Sequence, residues 1–307
     1  MERKSRAKTD IVLLAGATAS GKTRLALHHA TSCGGWVVNA DSMQVYRDLR
    51  ILTARPTAEE EALAPHRLYG HIDGAERYSV GAWLAEIAAV LAEANKERTP
   101  VIIVGGTGLY FKALTEGLAE MPSIPAELRA GVLADNAGLT APEIHRRLSL
   151  IDPEDAAHIR PSDRTRIVRA LEVMAATGQS LASWQRRAVQ RPLIAPGEAR
   201  RFVLIAEKDL LARRISARTE TMLANEGVAE ASALLSRRLP VDNPIMKAIG
   251  VRQVLDHLEG RLARAELAEA INVETRHYAK RQMTWFRNQM GDWERLDATL
   301  DLPRLPA

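Results

Sequence analysis

A single cysteine, Cys33, stands among 307 residues. One thiol closes no internal disulfide and builds no cysteine metal cluster, so nothing argues for an oxidising compartment. The chain also lacks a run of roughly 18 apolar residues, so no membrane-spanning helix is expected. The basic start MERKSRAKTD is not followed by a signal-type apolar stretch with a cleavage site. Residues 1–9 are expected to be a frayed tail, and the protein cytoplasmic. There is no internal repeat, low-complexity tract or coiled-coil seam, and a monomer is expected. His66 and His71 match no zinc-ligand spacing. A large excess of one charge sign is also missing: 42 Lys+Arg face 38 Asp+Glu, a net +4. That permits a nucleic-acid partner without requiring one.

What is present begins with IVLLAGATASGKTRLAL at 11–27. An apolar run stops at Gly16; G-x-x-x-x-G-K-T follows, and then a helical pattern. This is the phosphate-loop spacing in its required strand-to-helix setting. Gly16 and Gly21 let the backbone curl so that successive N–H groups point into one hollow. Ala17, Thr18, Ala19 and Ser20 complete the loop. The helix N-terminus adds partial positive charge, Lys22 reaches the outer phosphate, and Thr23 can hold Mg²⁺.

WVVNAD at 36–41 reads as a short buried strand that delivers Asp41, Ser42, Met43 and Gln44 at its C-terminal end, where open α/β sheets bind ligands. Ser79 is expected to cap a helix over about 80–97. VIIV at 101–104 is a third strand, and its ending is a further absence. A phosphate-loop NTPase places a metal-binding Asp there; this strand runs into Gly105, Gly106 and Thr107. FVLIAEKD at 202–209 resumes the sheet, and Leu210–Asn225 reads as helix. A last long helix spans about 264–290, with Ile271, Tyr278 and Trp285 expected on its core face and Arg276, Lys280 and Arg287 on another. The final LDLPRLPA is expected to be a loose tail.

Between Pro122 and Pro196 short helices replace strands. In the helix read over 162–178, Ile167, Leu171 and Met174 form an expected buried stripe, with Arg166 and Arg169 elsewhere. Arg160, Arg164, Arg166, Arg169, Arg186, Arg187 and Arg191 make this the densest cation excess in the chain. The predicted fold is α/β, a P-loop-type parallel sheet core flanked by helices over 1–118 and 197–307, with an all-helical insertion at 119–196.

Taken together, GATASGKT (16–23), DSMQVY (41–46), TARPT (53–57), PHRL (65–68), VGGTGLYFKAL (104–114), RALEV (169–173), AIGVRQ (248–253) and TRHYAKRQMTWFR (275–287) resemble the bacterial-type tRNA dimethylallyltransferase family. Ala17 departs from the family's usual proline and Val251 from its frequent tyrosine; neither position supplies a functional side chain. The resemblance implies transfer of a dimethylallyl group from dimethylallyl diphosphate to N6 of the adenosine just 3′ of the anticodon, with Mg²⁺. It implies that Thr18 to Thr23 hold the donor and that Arg218 helps neutralise its diphosphate. It further implies tRNA contacts from Asp41 to Gln44, Thr107, Arg129 and the run Thr165, Arg166, Ile167, Val168, Arg169. The run Lys247, Ala248, Ile249, Gly250, Val251, Arg252 is implied as well, with the insertion gripping the anticodon stem-loop. Asp41, Lys22 and Arg218 are the expected catalytic set, Asp41 accepting a proton from the amine. Two rivals use the same loop: an NTP-dependent small-molecule kinase, and a nucleotide-gated RNA-binding protein without catalysis. The missing acid after 101–104 weighs against the kinase.

Overall fold

Six parallel strands carry the fold, and the most apolar run of the chain lies at their centre. The computed structural model describes residues 9–119, 121, 123–186, 191–298 and 305. Residues 1–8 of the tail expected at 1–9 and all but Leu305 of the tail expected at 300–307, together with Pro122 and Arg187, lie outside the described residues. In chain order the first elements are β1 (Ile11–Gly16), α1 (Lys22–Cys33), β2 (Trp36–Asn39), α2 (Ala58–Leu63), β3 (His66–Arg67), α3 (Val80–Glu97), β4 (Val101–Gly105) and α4 (Gly108–Glu116). Five helices follow: α5 (Ala126–Asp135), α6 (Ala141–Ile151), α7 (Pro153–His158), α8 (Arg164–Thr177) and α9 (Leu181–Gln185). The chain closes with β5 (Arg200–Ile205), α10 (Lys208–Ala224), α11 (Gly227–Ser236), a 3₁₀ turn (Pro244–Lys247), α12 (Val251–Leu258), α13 (Arg264–Gln289) and β6 (Glu294–Asp297).

Contacts divide the chain into one unit of 1–115 with 193–307 and a second of 116–192. In the first, the sheet order is β3-β2-β4-β1-β5-β6. Every pairing is parallel. β1 and β4 are buried on both faces, which is why both read as unbroken branched runs. The two edge strands have no such signal. β3 is His-Arg and β6 is Glu-Arg-Leu-Asp; both are short, polar and joined to the sheet through backbone, as edges are. Ser79 caps α3 by accepting the Ala82 N–H at 3.2 Å, as expected. Cys33 is the last residue of α1, and Gly34 in the left-handed region closes that helix.

The core face of α13 differs from the heptad reading. Leu267, Ile271, Asn272, Thr275, Ala279, Gln282 and Phe286 are its buried residues, while Tyr278 and Trp285 are half-buried. A straight α-helix drifts about 20° per seven residues, so a strict seven-residue series leaves the face. No described helix is long and apolar enough to cross a membrane.

The second unit packs on Ile144, Leu148, Ala156, Ile159, Ile167, Ala170 and Leu171. Val168 and Val173 are also buried in α8, whereas Met174 is half-buried, so the apolar face is centred nearer Ala170 than expected. Several arginines of this unit hold its own chain. Arg129 and Arg169 flank the buried Glu172 carboxylate at 3.4 and 3.3 Å. Arg164 donates to the Asn136 and Leu139 carbonyls, and Arg186 pairs with Glu154. Arg166 stays outermost, its side chain 68% exposed beside Asp163.

Candidate active site

The loop between β1 and α1 takes two left-handed steps, Ala19 (φ 62°) and Gly21 (φ 96°). Residues of that conformation among right-handed neighbours fold successive N–H groups into an anion-binding hollow. Gly16 has no room for a side chain, since a Cβ there would lie 2.8 Å from Ser20 Oγ. Three cations converge on the loop. Lys22 Nζ lies 3.5 Å from the Ala17 carbonyl. Arg214 donates to Ser20 O at 2.9 Å, and Arg218, one turn on along α10, donates to Thr18 Oγ1 at 2.8 Å. Burial pushes the Lys22 ammonium down to about 8; the nearby Asp41 carboxylate opposes this and Arg218 adds to it. Burial likewise lowers Arg218, again opposed by Asp41. The buried Arg218 Nε and Ser20 Oγ have no partner within the protein. Buried donors left open around a cationic hollow are the chemistry a phosphate oxygen would satisfy.

Asp41 is held by its neighbour in the strand. The fully buried Asn39 accepts the Asp41 N–H at 2.8 Å and donates to Asp41 O at 2.9 Å and Leu68 O at 3.0 Å. The Asp41 Oδ1 accepts from the Met43 N–H at 2.9 Å, and a carboxylate retains acceptor capacity beyond that bond. Tyr69, Tyr110 and Tyr278 are raised above the ordinary phenol range, by burial first and then by Asp41. The carboxylate thus sits among neutral hydroxyls and two cations. Thr107 Oγ1 accepts from the Ser42 N–H at 3.0 Å, and Gln44 Nε2 donates to Thr53 O and Ala54 O. The glycines that end β4 are explained here: a Cβ at Gly105 would lie 2.0 Å from Ala40 O, and one at Gly106 2.1 Å from Gln282 Nε2.

A cavity of about 960 Å³ opens beside Asp41 and Arg218, and Thr18 is the one residue of the loop 16–23 in its lining. Of the residues expected from sequence, it is lined by Thr18, Asp41, Ser42, Met43, Arg218, Lys247, Ala248, Ile249, Val251 and Arg252. Leu52, Met222, Met246 and Ile271 give it an apolar wall, and Tyr278 stands among its lining. Lys22, Thr23 and the loop residues Gly16, Ala17, Ala19, Ser20 and Gly21 are not in that lining, nor are Gln44, Thr107 and Gly250; Gln44 and Thr107 brace backbone beside it, and Gly250 fits under Leu52 with φ 103° at the start of α12. Arg129 and Thr165 to Arg169 belong to the second unit. Among the described residues no group of three or more His, Cys, Asp or Glu is arranged around a metal position.

Four contributors were not singled out by sequence as site residues: Asn39, Arg214, Glu230 and Gln282, the last inside the stretch 275–287. Glu230 of α11 accepts the N–H groups of Arg50, Ile51 and Leu52, fixing the loop that supplies Leu52 and Thr53 to the cavity. Charged hydrogen bonds of this kind contribute about 1.5–3 kcal/mol each. Glu230→Ala is expected to lower stability by about 2 kcal/mol or more in urea unfolding, with Glu230→Gln intermediate. An unchanged midpoint in both variants would contradict this role.

A model of the IPP transferase family matches residues 44–289. The tRNA dimethylallyltransferase of Azorhizobium caulinodans is 52% identical over 285 residues, 92% of this chain and 91% of that one. That of Methylorubrum populi is 46% identical over 302 residues, 95% of each. Among solved structures, a full-length tRNA isopentenylpyrophosphate transferase from Bacillus halodurans aligns with a TM-score of 0.66 at 32% identity, covering 96% of this chain and 92% of that one. A eukaryotic dimethylallyltransferase described as acting on tRNA aligns with a TM-score of 0.74 at 25% identity, covering 95% of this chain and 74% of that one.

Proposed function

The chain belongs to the IPP transferase family, and on that premise we infer that it is a tRNA dimethylallyltransferase, moving a dimethylallyl group from dimethylallyl diphosphate to tRNA and releasing diphosphate. The acceptor atom in this reading is N6 of the adenosine 3′ to the anticodon. The observation that carries it is the meeting of opposite needs in one place. Lys22 and Arg218 are buried cations suited to an anion, while Asp41 acts on both of them electrostatically and shares a cavity with Arg218 and Thr18.

An allylic diphosphate ionises readily because the carbon left behind spreads positive charge over three atoms. The work left for the protein is to stabilise the departing anion, which the loop amides, Lys22 and Arg218 are placed to do. The exocyclic amine of adenine is a weak nucleophile, its lone pair delocalised into the ring. Asp41 accepts an N6 proton as the carbon–nitrogen bond forms, which keeps that density on nitrogen. The apolar wall of Leu52, Met222 and Ile271 suits the prenyl tail. Mg²⁺ keeps most of its waters and binds through few protein groups plus phosphate oxygens. The Thr23 hydroxyl in the first turn of α1 and the unpartnered Ser20 Oγ of the loop before it fit such a role. When bound, the ion neutralises diphosphate charge.

The base reaches the cavity by leaving its stack, at a cost of a few kcal/mol that is least in a single-stranded loop. The helical insertion, 119–196, is the part we assign to gripping the anticodon stem-loop. The reading places the enzyme in the cytoplasm as a monomer. Binding of tRNA is expected to weaken steeply with salt. Arg166→Ala, which removes the outermost arginine of α8, is expected to weaken tRNA binding by about three- to tenfold in filter binding and leave donor binding unchanged. Equal losses for both ligands would contradict that assignment. Incubation with dimethylallyl diphosphate, Mg²⁺ and unmodified tRNA, followed by nucleoside digestion and mass spectrometry, is expected to give adenosine carrying one five-carbon group on N6. Phosphorylation of a small acceptor, or tight nucleotide binding without a covalent product, would favour one of the rivals.

A further inference from the structure

We propose that Asn39 is a positioning residue of the reaction: its side-chain amide clamps both main-chain groups of Asp41 and so aims the carboxylate at the acceptor amine. The proposal rests on Asp41 being the proton acceptor, as assigned above.

The strand β2 stops at Asn39, two residues short of Asp41. Ala40 is still tied to the chain after β4, its N–H bonded to Val104 O at 2.8 Å and its O accepting the Thr107 N–H at 3.2 Å. Asp41 lies beyond that ladder, and one side chain takes the ladder's place. Asn39 Oδ1 accepts the Asp41 N–H at 2.8 Å, and Nδ2 donates to the Asp41 C=O at 2.9 Å. A primary amide carries donor and acceptor on separate atoms, so it answers an N–H and a C=O at once. The second Nδ2 hydrogen goes to the carbonyl of Leu68 at 3.0 Å, in the segment that follows β3.

The clamp is itself immobilised. Asn39 is 0% exposed, and its own carbonyl accepts the indole N–H of Trp83 at 2.9 Å. Trp83 is also fully buried; it lies on α3 and stacks on Tyr110 of α4 with ring centroids 4.4 Å apart. The rest of β2 is Trp-Val-Val, so the amide is the polar exception in a buried apolar strand. Burying an amide is unfavourable unless its bonds are made, and two of its three bonds go to Asp41. With that backbone fixed, Asp41 Oδ1 is committed to the Met43 N–H at 2.9 Å, leaving Oδ2 to the cavity that Asp41 lines. Asn39 thereby decides which carboxylate oxygen meets the N6 hydrogen. Misplacing a reacting group by about 1 Å costs on the order of 10²-fold in rate.

The test is a double-mutant cycle in prenyl transfer to tRNA, at saturating dimethylallyl diphosphate and Mg²⁺, combining Asn39→Ala with Asp41→Asn. Asn39→Ala alone is expected to lower kcat by about 10–100-fold, with affinity for dimethylallyl diphosphate, read by calorimetry, kept within about twofold. In the Asp41→Asn background the same substitution is expected to change the rate by less than about threefold, because no carboxylate is left to aim. A residue that only supports the fold would cost the same factor in both backgrounds, and that result would overturn the proposal. Should Asn39→Ala fail to fold, Asn39→Ser carries the cycle: its hydroxyl keeps an acceptor for the Asp41 N–H but cannot answer both carbonyls. A smaller loss of kcat, again confined to the Asp41 background, is expected of it; wild-type kcat in the folded variant would overturn the proposal. The two failures are distinguishable. A wild-type rate in Asp41→Asn removes the proton acceptor itself, whereas a slow Asp41→Asn with additive losses removes only the role of Asn39.

Discussion

Asp41→Asn is expected to slow prenyl transfer to tRNA by about 10²–10⁴-fold, the range of a positioned general base. Asparagine keeps the shape and the Oδ1 acceptor for the Met43 N–H, so the turn after β2 survives. What is lost is the proton acceptor for N6 and one negative charge near Lys22. The second loss has its own signature. Asp41 holds the Lys22 pKa up against burial, so removing it moves the Lys22 titration below its value of about 8. In pH profiles of kcat/KM for the donor, the alkaline limb of Asp41→Asn is expected to begin at lower pH than that of wild type. Donor affinity measured below both limbs is expected to stay within a few-fold. A variant that turned over at the wild-type rate would remove Asp41 from the chemistry.

Loss of either cation facing the leaving group is the other large effect. Lys22→Ala and Arg218→Ala are each expected to reduce kcat by about 10²–10³, as loss of one donor to a developing anion does. The two are distinguishable by pH. Lys22 in the free protein is charged below about 8 and neutral above it. Raising pH through that value removes a charge the diphosphate needs, so kcat/KM for the donor falls. A bound diphosphate favours the charged form, so the same limb lies at higher pH in kcat. Lys22→Arg, which stays charged, is expected to abolish the limb, and Arg218→Ala, which removes a cation that depresses Lys22, to move it upward.

Much of this was legible in the amino-acid order, and the reasons are physical. The loop from Gly16 to Thr23 is a local motif whose spacing alone specifies an anion hollow. The strands at 11–16, 36–39 and 101–105 are buried on both faces or nearly so and read as apolar runs, while in 200–205 only the Phe-Val-Leu at 202–204 is buried, so the strand was read from residue 202 and its Arg-Arg start was not. The edge strands were not legible, because a polar two- or four-residue segment gains its strand character only from the neighbour it pairs with. Gln282 was hidden for a related reason. A glutamine on a long helix reads as surface, and its burial depends on Thr18, 264 residues away. The partners of the insertion's arginines were hidden as well. Their number gives a cation excess and says nothing of what each one binds: Arg129 and Arg169 are paired to the buried Glu172, and Arg164 is bound to carbonyls of its own unit.

The account stands on a phosphate hollow that holds a leaving group and does not hydrolyse one. The most direct measurement counts products in one vessel: diphosphate released from dimethylallyl diphosphate and prenyl groups gained by tRNA, with ATP present. Equal amounts of diphosphate and prenylated adenosine, dependent on tRNA, with ATP left intact, is the predicted result. Orthophosphate released from ATP, with no prenyl group on the tRNA, would contradict it.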